Sequence, residues 1–171
     1  MHVRGFTRHV SSKVMNRGTF AGILEKLPYL KEIGVTTLEL QPAYEFLELE
    51  KVEAPPQGAP RIQPESRVNY WGYKRGFYYA PKQAYAASED AATEFRDLVK
   101  ALHRNGMELV MQFYFPDQVD RNDISDILRF WTLEYHVDGF HLLGTDLPIE
   151  LLAADPLLAD KKFMYYGINA E

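Results

Sequence analysis

Of the 171 residues, 46% are hydrophobic, 25% charged and 13% aromatic, the balance of one soluble globular domain with a core of its own and no mark of disorder. Acids outnumber bases 24 to 19, a net charge of −5, which argues against the basic face that a nucleic-acid partner selects. The absence of cysteine removes disulfides, thiolate metal sites and a cysteine nucleophile, and no run reaches the roughly 18 apolar residues of a membrane span.

The opening Met1-His2-Val3-Arg4-Gly5-Phe6 lacks the basic-then-apolar layout of a secretion signal, so the expectation is a cytoplasmic chain with no membrane partner. Residues 2–6 read as a short strand and 11–17 as polar loop. Thr19 is placed as an N-cap, after which Phe20, Ile23, Leu24, Leu27, Leu30 and Ile33 recur at helical spacing until Gly34. Residues 35–40 form a β-rich run closed by Pro42. A long excursion follows over about 44–87, rich in Pro and Gly at 52–64 and then carrying Asn69-Tyr70-Trp71-Gly72-Tyr73. Loops of that length in compact domains are uncommon and usually functional.

Residues 91–104 are a second helix with Phe95, Leu98, Val99 and Leu102 on one face, stopped by Asn105-Gly106. Residues 107–115 are almost continuously apolar, as a parallel strand covered on both faces requires. A third helix at 123–135, with Ile127, Leu128, Trp131 and Leu133, a strand at 137–143, a fourth helix at 147–158 and a fifth strand at 162–168 complete the chain. Five strands and four helices in alternation predict an α/β fold: a partial (β/α)8 TIM-type barrel, about five-eighths of the eight units that take ~250 residues when closed. The reading is a single domain over 1–171 with a long insertion at 44–87.

Other chemistries find little support in the residues. His2, His9, His103, His136 and His141 show no paired ligand spacing, so no zinc site is expected; His141, near a strand end, reads either as a functional group or as a satisfied polar residue. Asp117, Asp120, Asp123 and Asp126 are spaced as helix-entry and surface acids, with capping favoured over a calcium cluster. Glu48, Glu50 and Glu53 are expected to face water. No serine sits in a Gly-x-Ser-x-Gly elbow, and no glycine-rich phosphate loop occurs.

Four stretches carry a family resemblance: His2-Val3-Arg4-Gly5-Phe6-Thr7; the run from Gly18-Thr19-Phe20 to Gln41-Pro42; Asn69-Tyr70-Trp71-Gly72-Tyr73 with Ala80-Pro81; and Tyr135-His136-Val137-Asp138-Gly139-Phe140. Together they resemble the α-amylase family of glycoside hydrolases, in its pullulanase, isoamylase and glycogen-debranching branch. The resemblance implies a (β/α)8 barrel that cleaves α-glucosidic bonds with retention, using two carboxyl groups about 5–5.5 Å apart at C-terminal strand ends. A third carboxylate of that family binds sugar hydroxyls.

Position by position, the family's machinery is replaced. Where its third strand ends in a motif with Asp, Asn and His, this chain has Gln112, Pro116 and Asp117, which also removes the Asn that helps to hold a structural calcium. The fourth strand's Gly-Phe-Arg-Phe-Asp becomes Gly139-Phe140-His141-Leu142-Leu143, with Leu143 at the nucleophile and Asp146 three residues further on. In the fifth strand, Tyr166 stands at the acid/base position. The resemblance therefore implies no catalytic residue, no metal and no cofactor in this chain.

Binding residues do survive. Tyr73 matches the family aromatic that stacks on the sugar nearest the cleavage point, with Trp71 beside it, and an aromatic face suits the apolar C–H face of a sugar. The same loop also reads as packing over a barrel end. The expectation is an α-amylase-family domain of starch, glycogen or pullulan metabolism that is catalytically inactive as this chain, with an α-glucan or maltooligosaccharide as partner. Two alternatives stand beside it: a non-catalytic glucan-binding or regulatory module, and a reading-frame fragment of a larger debranching-type enzyme whose open sheet edges self-associate.

Overall fold

The computed structural model describes residues 1–51 and 66–167. Residues 2–6 are not a strand. Val3–Thr7 form a short helix, α1, because the extended His2 turns its ring back and accepts the Gly5 amide on Nδ1 at 3.0 Å. A side-chain cap on so short a stretch outweighs its two-residue alternation. Met1 is tied to a later stretch of the chain by one bond, its carbonyl accepting the Gln41 amide at 2.8 Å.

Thr19 caps the next helix as expected, its Oγ1 accepting from the Gly22 amide at 3.1 Å. The single helix expected up to Gly34 is two, α2 (Phe20–Glu25) and α3 (Leu27–Glu32), meeting at Lys26. Pro28 causes the break: it has no N–H for the helical ladder, and its ring crowds the preceding turn. Phe20, Ile23, Leu27 and Leu30 are buried, but Ile33 lies beyond the end of α3 and is 56% exposed.

The sheet begins with β1 (Thr37–Leu40). The long excursion then holds β2 (Tyr44–Glu45), β3 (Leu49–Lys51), β4 (Ser66–Val68) and β5 (Phe77–Pro81), with β2 antiparallel to β5 and β3 antiparallel to β4. Its Pro- and Gly-rich part at 52–64, including Glu53, lies outside the described residues.

Helix α4 (Ala91–Arg104) keeps its expected bounds, capped by Asp90, whose Oδ1 accepts from Thr93 N–H at 2.9 Å. Strand β6 (Glu108–Phe115) and helix α5 (Arg121–Tyr135) follow. Asp120 caps α5 by accepting the Asn122 amide at 2.8 Å, so the helix starts two residues before the expected 123. Strand β7 (Gly139–Gly144) leads to α6 (Ile149–Ala153), much shorter than the expected 147–158. Pro156 disfavours helical backbone at Asp155 and ends it. The last strand is β8 (Lys162–Gly167); Ile168 lies outside the described residues.

The parallel sheet runs in the order β1-β6-β7-β8. It has four strands rather than five, because residues 2–6 are helical. Its register pairs Leu40 with Met111, Gln112 with His141 and Leu143 with Tyr166. Side chains alternate across it. Leu38, Leu40, Met111, Phe113, Phe140 and Leu142 are buried in the core with α4 and α5, where Trp131 packs edge-on to Phe95 and Phe113 at 5.2 and 5.8 Å. The other face carries Glu39, Gln112, Tyr114, His141 and Leu143, which places the polar residues of three strands side by side.

Candidate functional site

At the C-terminal ends of β6 and β7 lies a cavity of about 380 Å³, lined by Tyr73, Tyr114, Phe115, Asp117, Leu143, Gly144 and Thr145. That volume is in the range of small-ligand sites, roughly 300–1,000 Å³. Its walls are ring faces and aliphatic carbon, and its one carboxylate among these residues, Asp117, accepts the Thr145 hydroxyl. Such a lining can stack a flat ligand with an apolar face and hold one polar group at its edge.

Tyr73 reaches the cavity from the long excursion by a backbone device. Asn69 Oδ1 accepts the Gly72 amide at 3.0 Å, and Gly72 takes φ +77°. A Cβ at Gly72 would lie 2.6 Å from the Phe46 ring and 2.9 Å from Pro42, so both the conformation and the space require glycine. This turn separates neighbouring aromatics. Tyr73 lines the cavity and meets Tyr114 edge-on at 6.5 Å. Trp71 is outside the lining and half exposed, edge-on to Tyr70 at 5.0 Å and to His2 at 5.6 Å.

A hydrogen-bonded series runs behind the cavity. The Tyr73 hydroxyl donates to Gln112 Oε1 at 2.7 Å, and Gln112 Nε2 donates to Glu39 Oε1 at 2.6 Å. His141 Nδ1 meets the same Glu39 oxygen at 2.5 Å. A carboxylate only accepts, so Nδ1 carries the hydrogen of that bond. Gln41 Nε2 adds a longer donation to the Tyr73 oxygen at 3.3 Å. Burial pushes the Glu39 carboxyl up, but the bonds from Gln112 and His141 and the charge of His141 outweigh it, leaving Glu39 below the ordinary glutamate range.

The remaining sequence candidates separate. His141 is mostly buried and satisfied at Nδ1 by Glu39. Of the four aspartates, Asp120 caps α5 and Asp126 pairs with Arg129 at 2.9 Å. Among the described residues no three His, Asp or Glu side chains gather as a metal would need. Glu48 does not simply face water; it pairs with Arg4 at 2.8 Å and lies 3.7 Å from Lys82. Glu39 and Gln112 as partners, and the buried Lys82, escape the reading of the sequence. One signal exists for Glu39: a carboxylate between Leu38 and Leu40 in a strand must face the other side of the sheet.

The family described as alpha amylase, catalytic domain, matches residues 5–117. Isoamylase 1, chloroplastic, of Arabidopsis thaliana is 33% identical over 190 residues, covering 82% of this chain and 24% of that protein. The glycogen debranching enzyme of Serratia proteamaculans (strain 568) is 30% identical over 225 residues, covering 95% of this chain and 32% of that one. In fold the chain is similar to pullulanase type I from Bacillus subtilis str. 168 complexed with maltose, with a TM-score of 0.63, 23% identity, and 83% and 26% of the two chains covered. It is also similar to the multi-modular glycogen-degrading pneumococcal virulence factor SpuA in a product complex, with a TM-score of 0.71, 20% identity, and 100% and 23% covered. The chain thus spans about a quarter to a third of the length of these proteins. No helix among the described residues is long and apolar enough to cross a membrane.

Proposed function

The chain belongs to the α-amylase catalytic-domain family, in its isoamylase, pullulanase and glycogen-debranching branch, and on that premise we propose that it binds α-glucan at the ends of β6 and β7 without hydrolysing it. The observation that carries this reading is Tyr73: the residue at the family's sugar-stacking position lines the cavity at those strand ends. Stacking of a sugar's C–H face on the phenol ring supplies the affinity, Leu143 and Phe115 exclude water around it, and the Asp117–Thr145 pair offers a hydroxyl contact. Trp71, with its ring half exposed on the neighbouring surface, is a second contact for a longer oligosaccharide. The maltose bound by the Bacillus subtilis pullulanase supports the substrate class.

The absence of hydrolysis rests on residue chemistry. Leu143 lines the cavity at the position of the nucleophile, and a leucine has no lone pair with which to attack an anomeric carbon. Its register partner on β8 is Tyr166, at the acid/base position. Retention needs two carboxyls about 5–5.5 Å apart, and neither position carries one. A cytoplasmic location is part of the same reading, from the cysteine-free composition.

The test is a reducing-sugar assay on pullulan and glycogen together with a thermal melt in millimolar maltoheptaose. The expected result is no release above a denatured control and a melting temperature that rises with sugar, since a ligand of the native state stabilises it. Sugar release by the intact chain, or an unmoved melt, overturns the reading.

A further inference from the structure

We propose that Gln112 and Glu39 are positioning residues that hold the Tyr73 ring in its ligand-stacking pose. The proposal rests on the glucan-binding reading for its consequence, but its geometry stands by itself. Tyr73 sits on a loop, and a phenol on a loop is free to turn about two side-chain torsions. Here the hydroxyl is tied to β6 by donation to Gln112 Oε1 at 2.7 Å.

The tie has a direction. Glu39 Oε1 accepts from Gln112 Nε2 at 2.6 Å, and an ionised carboxylate accepts only. The amide of Gln112 is thereby locked with its nitrogen toward β1, so its carbonyl oxygen is the end that meets Tyr73. Glu39 is held in turn by His141 from β7, and the hydrogen bonds keep its carboxyl ionised at neutral pH. Three strands thus fix the far end of the series, and a loop side chain inherits their rigidity. Preorganisation of this kind raises affinity by removing the ordering cost at binding. Neither Gln112 nor Glu39 lines the cavity, so neither touches a ligand there.

The test has two arms on the intact chain. In the first, carbon relaxation of ring-labelled tyrosine reads the order of Tyr73 without any sugar. The ring is expected to be rigid in the parent and in Glu39→Gln, whose amide carbonyl, held in place by the His141 Nδ1 hydrogen, still accepts from Gln112. It is expected to be mobile in Gln112→Leu and Glu39→Leu. In the second arm, maltoheptaose affinity falls about three- to tenfold in the two leucine variants, the scale of one hydrogen bond. Tyr73→Phe falls by as much, and Tyr73→Phe with Gln112→Leu falls no further than either alone, the signature of one coupled interaction. A merely structural role would lower the melting temperature and leave that coupling at zero.

An equally ordered Tyr73 ring in Gln112→Leu overturns the proposal, as do additive losses in the double variant. A parent chain with an ordered ring and no maltoheptaose affinity overturns the glucan reading instead, and the relaxation arm then still decides whether Gln112 and Glu39 position the ring.

Discussion

Lys82 places its ammonium 2.9 Å from Glu45 Oε1 and 4.0 Å from the centre of the Phe46 ring, with 2% of its side chain exposed. It also donates to the Phe46 carbonyl at 2.8 Å. One cation therefore fastens the residues after β5 to β2 and to the loop that follows it. Removing one partner of a buried pair leaves the other's charge uncompensated, although Glu45 keeps 30% exposure and can partly rehydrate. Lys82→Ala is expected to cost about 1–3 kcal/mol, read as a lower urea midpoint, and Lys82→Met, which keeps the aliphatic stem, to cost less. Equal stability of Lys82→Ala and the parent would show that the clamp contributes nothing.

The turn at Gly72 gives a second expectation. At φ +77°, with the Phe46 ring 2.6 Å from where an alanine methyl would sit, Gly72→Ala combines backbone strain with a clash. A loss of about 1–3 kcal/mol is expected, together with weaker maltoheptaose binding because Tyr73 is displaced. Thermal melts and titrations on the same preparation check both.

Acid stability follows from His2. Its ring stacks on Tyr70 at 4.2 Å, accepts from Gly5 on Nδ1 and bonds the Tyr70 carbonyl through Nε2 at 2.9 Å. Burial lowers its pKa below the ordinary histidine value, against a smaller opposite effect of the Tyr70 carbonyl and with help from the Arg4 charge. The folded chain then binds this proton less readily than the unfolded one. Stability is complete above the unfolded value near 6.5 and is lost as pH falls from there through the depressed folded value. Melting temperatures of the parent should drop between about pH 7 and pH 5 more steeply than those of His2→Gln; parallel curves would contradict the assignment.

The two tryptophans offer a spectroscopic check on the core. Trp131 is fully buried and donates from Nε1 to the Tyr78 carbonyl at 2.7 Å, whereas Trp71 is half exposed. Acrylamide should quench one component readily and the other hardly at all. Trp131→Phe should remove the protected one and destabilise the fold by about 1–3 kcal/mol for the lost hydrogen bond and volume.

What the residues reveal, and what they hide, divides by range. Helix α4 keeps its expected bounds because an unbroken helical periodicity lies between Asp90 and Gly106, and β6 is legible because a continuous apolar run admits few other readings. Helix α1 is hidden because a single histidine ring sets it, and α6 is shorter than its stripe because a proline rule outweighs favourable spacing. At the cavity, the motif that carries Tyr73 is visible in the sequence, and the fold brings that ring to the lining. The Gln112–Glu39 and His141–Glu39 contacts join residues 73 and 102 positions apart, and only the parallel register brings them to one face. The parting of Trp71 from Tyr73 depends on one left-handed glycine between them.

Whether the Tyr73 ring binds α-glucan is decided by isothermal titration of maltoheptaose into the parent chain and into Tyr73→Ala. Measurable binding by the parent and a loss of about tenfold or more in the variant are expected, the scale of one stacked aromatic ring. Equal affinity in the two chains, or none in the parent, would contradict it.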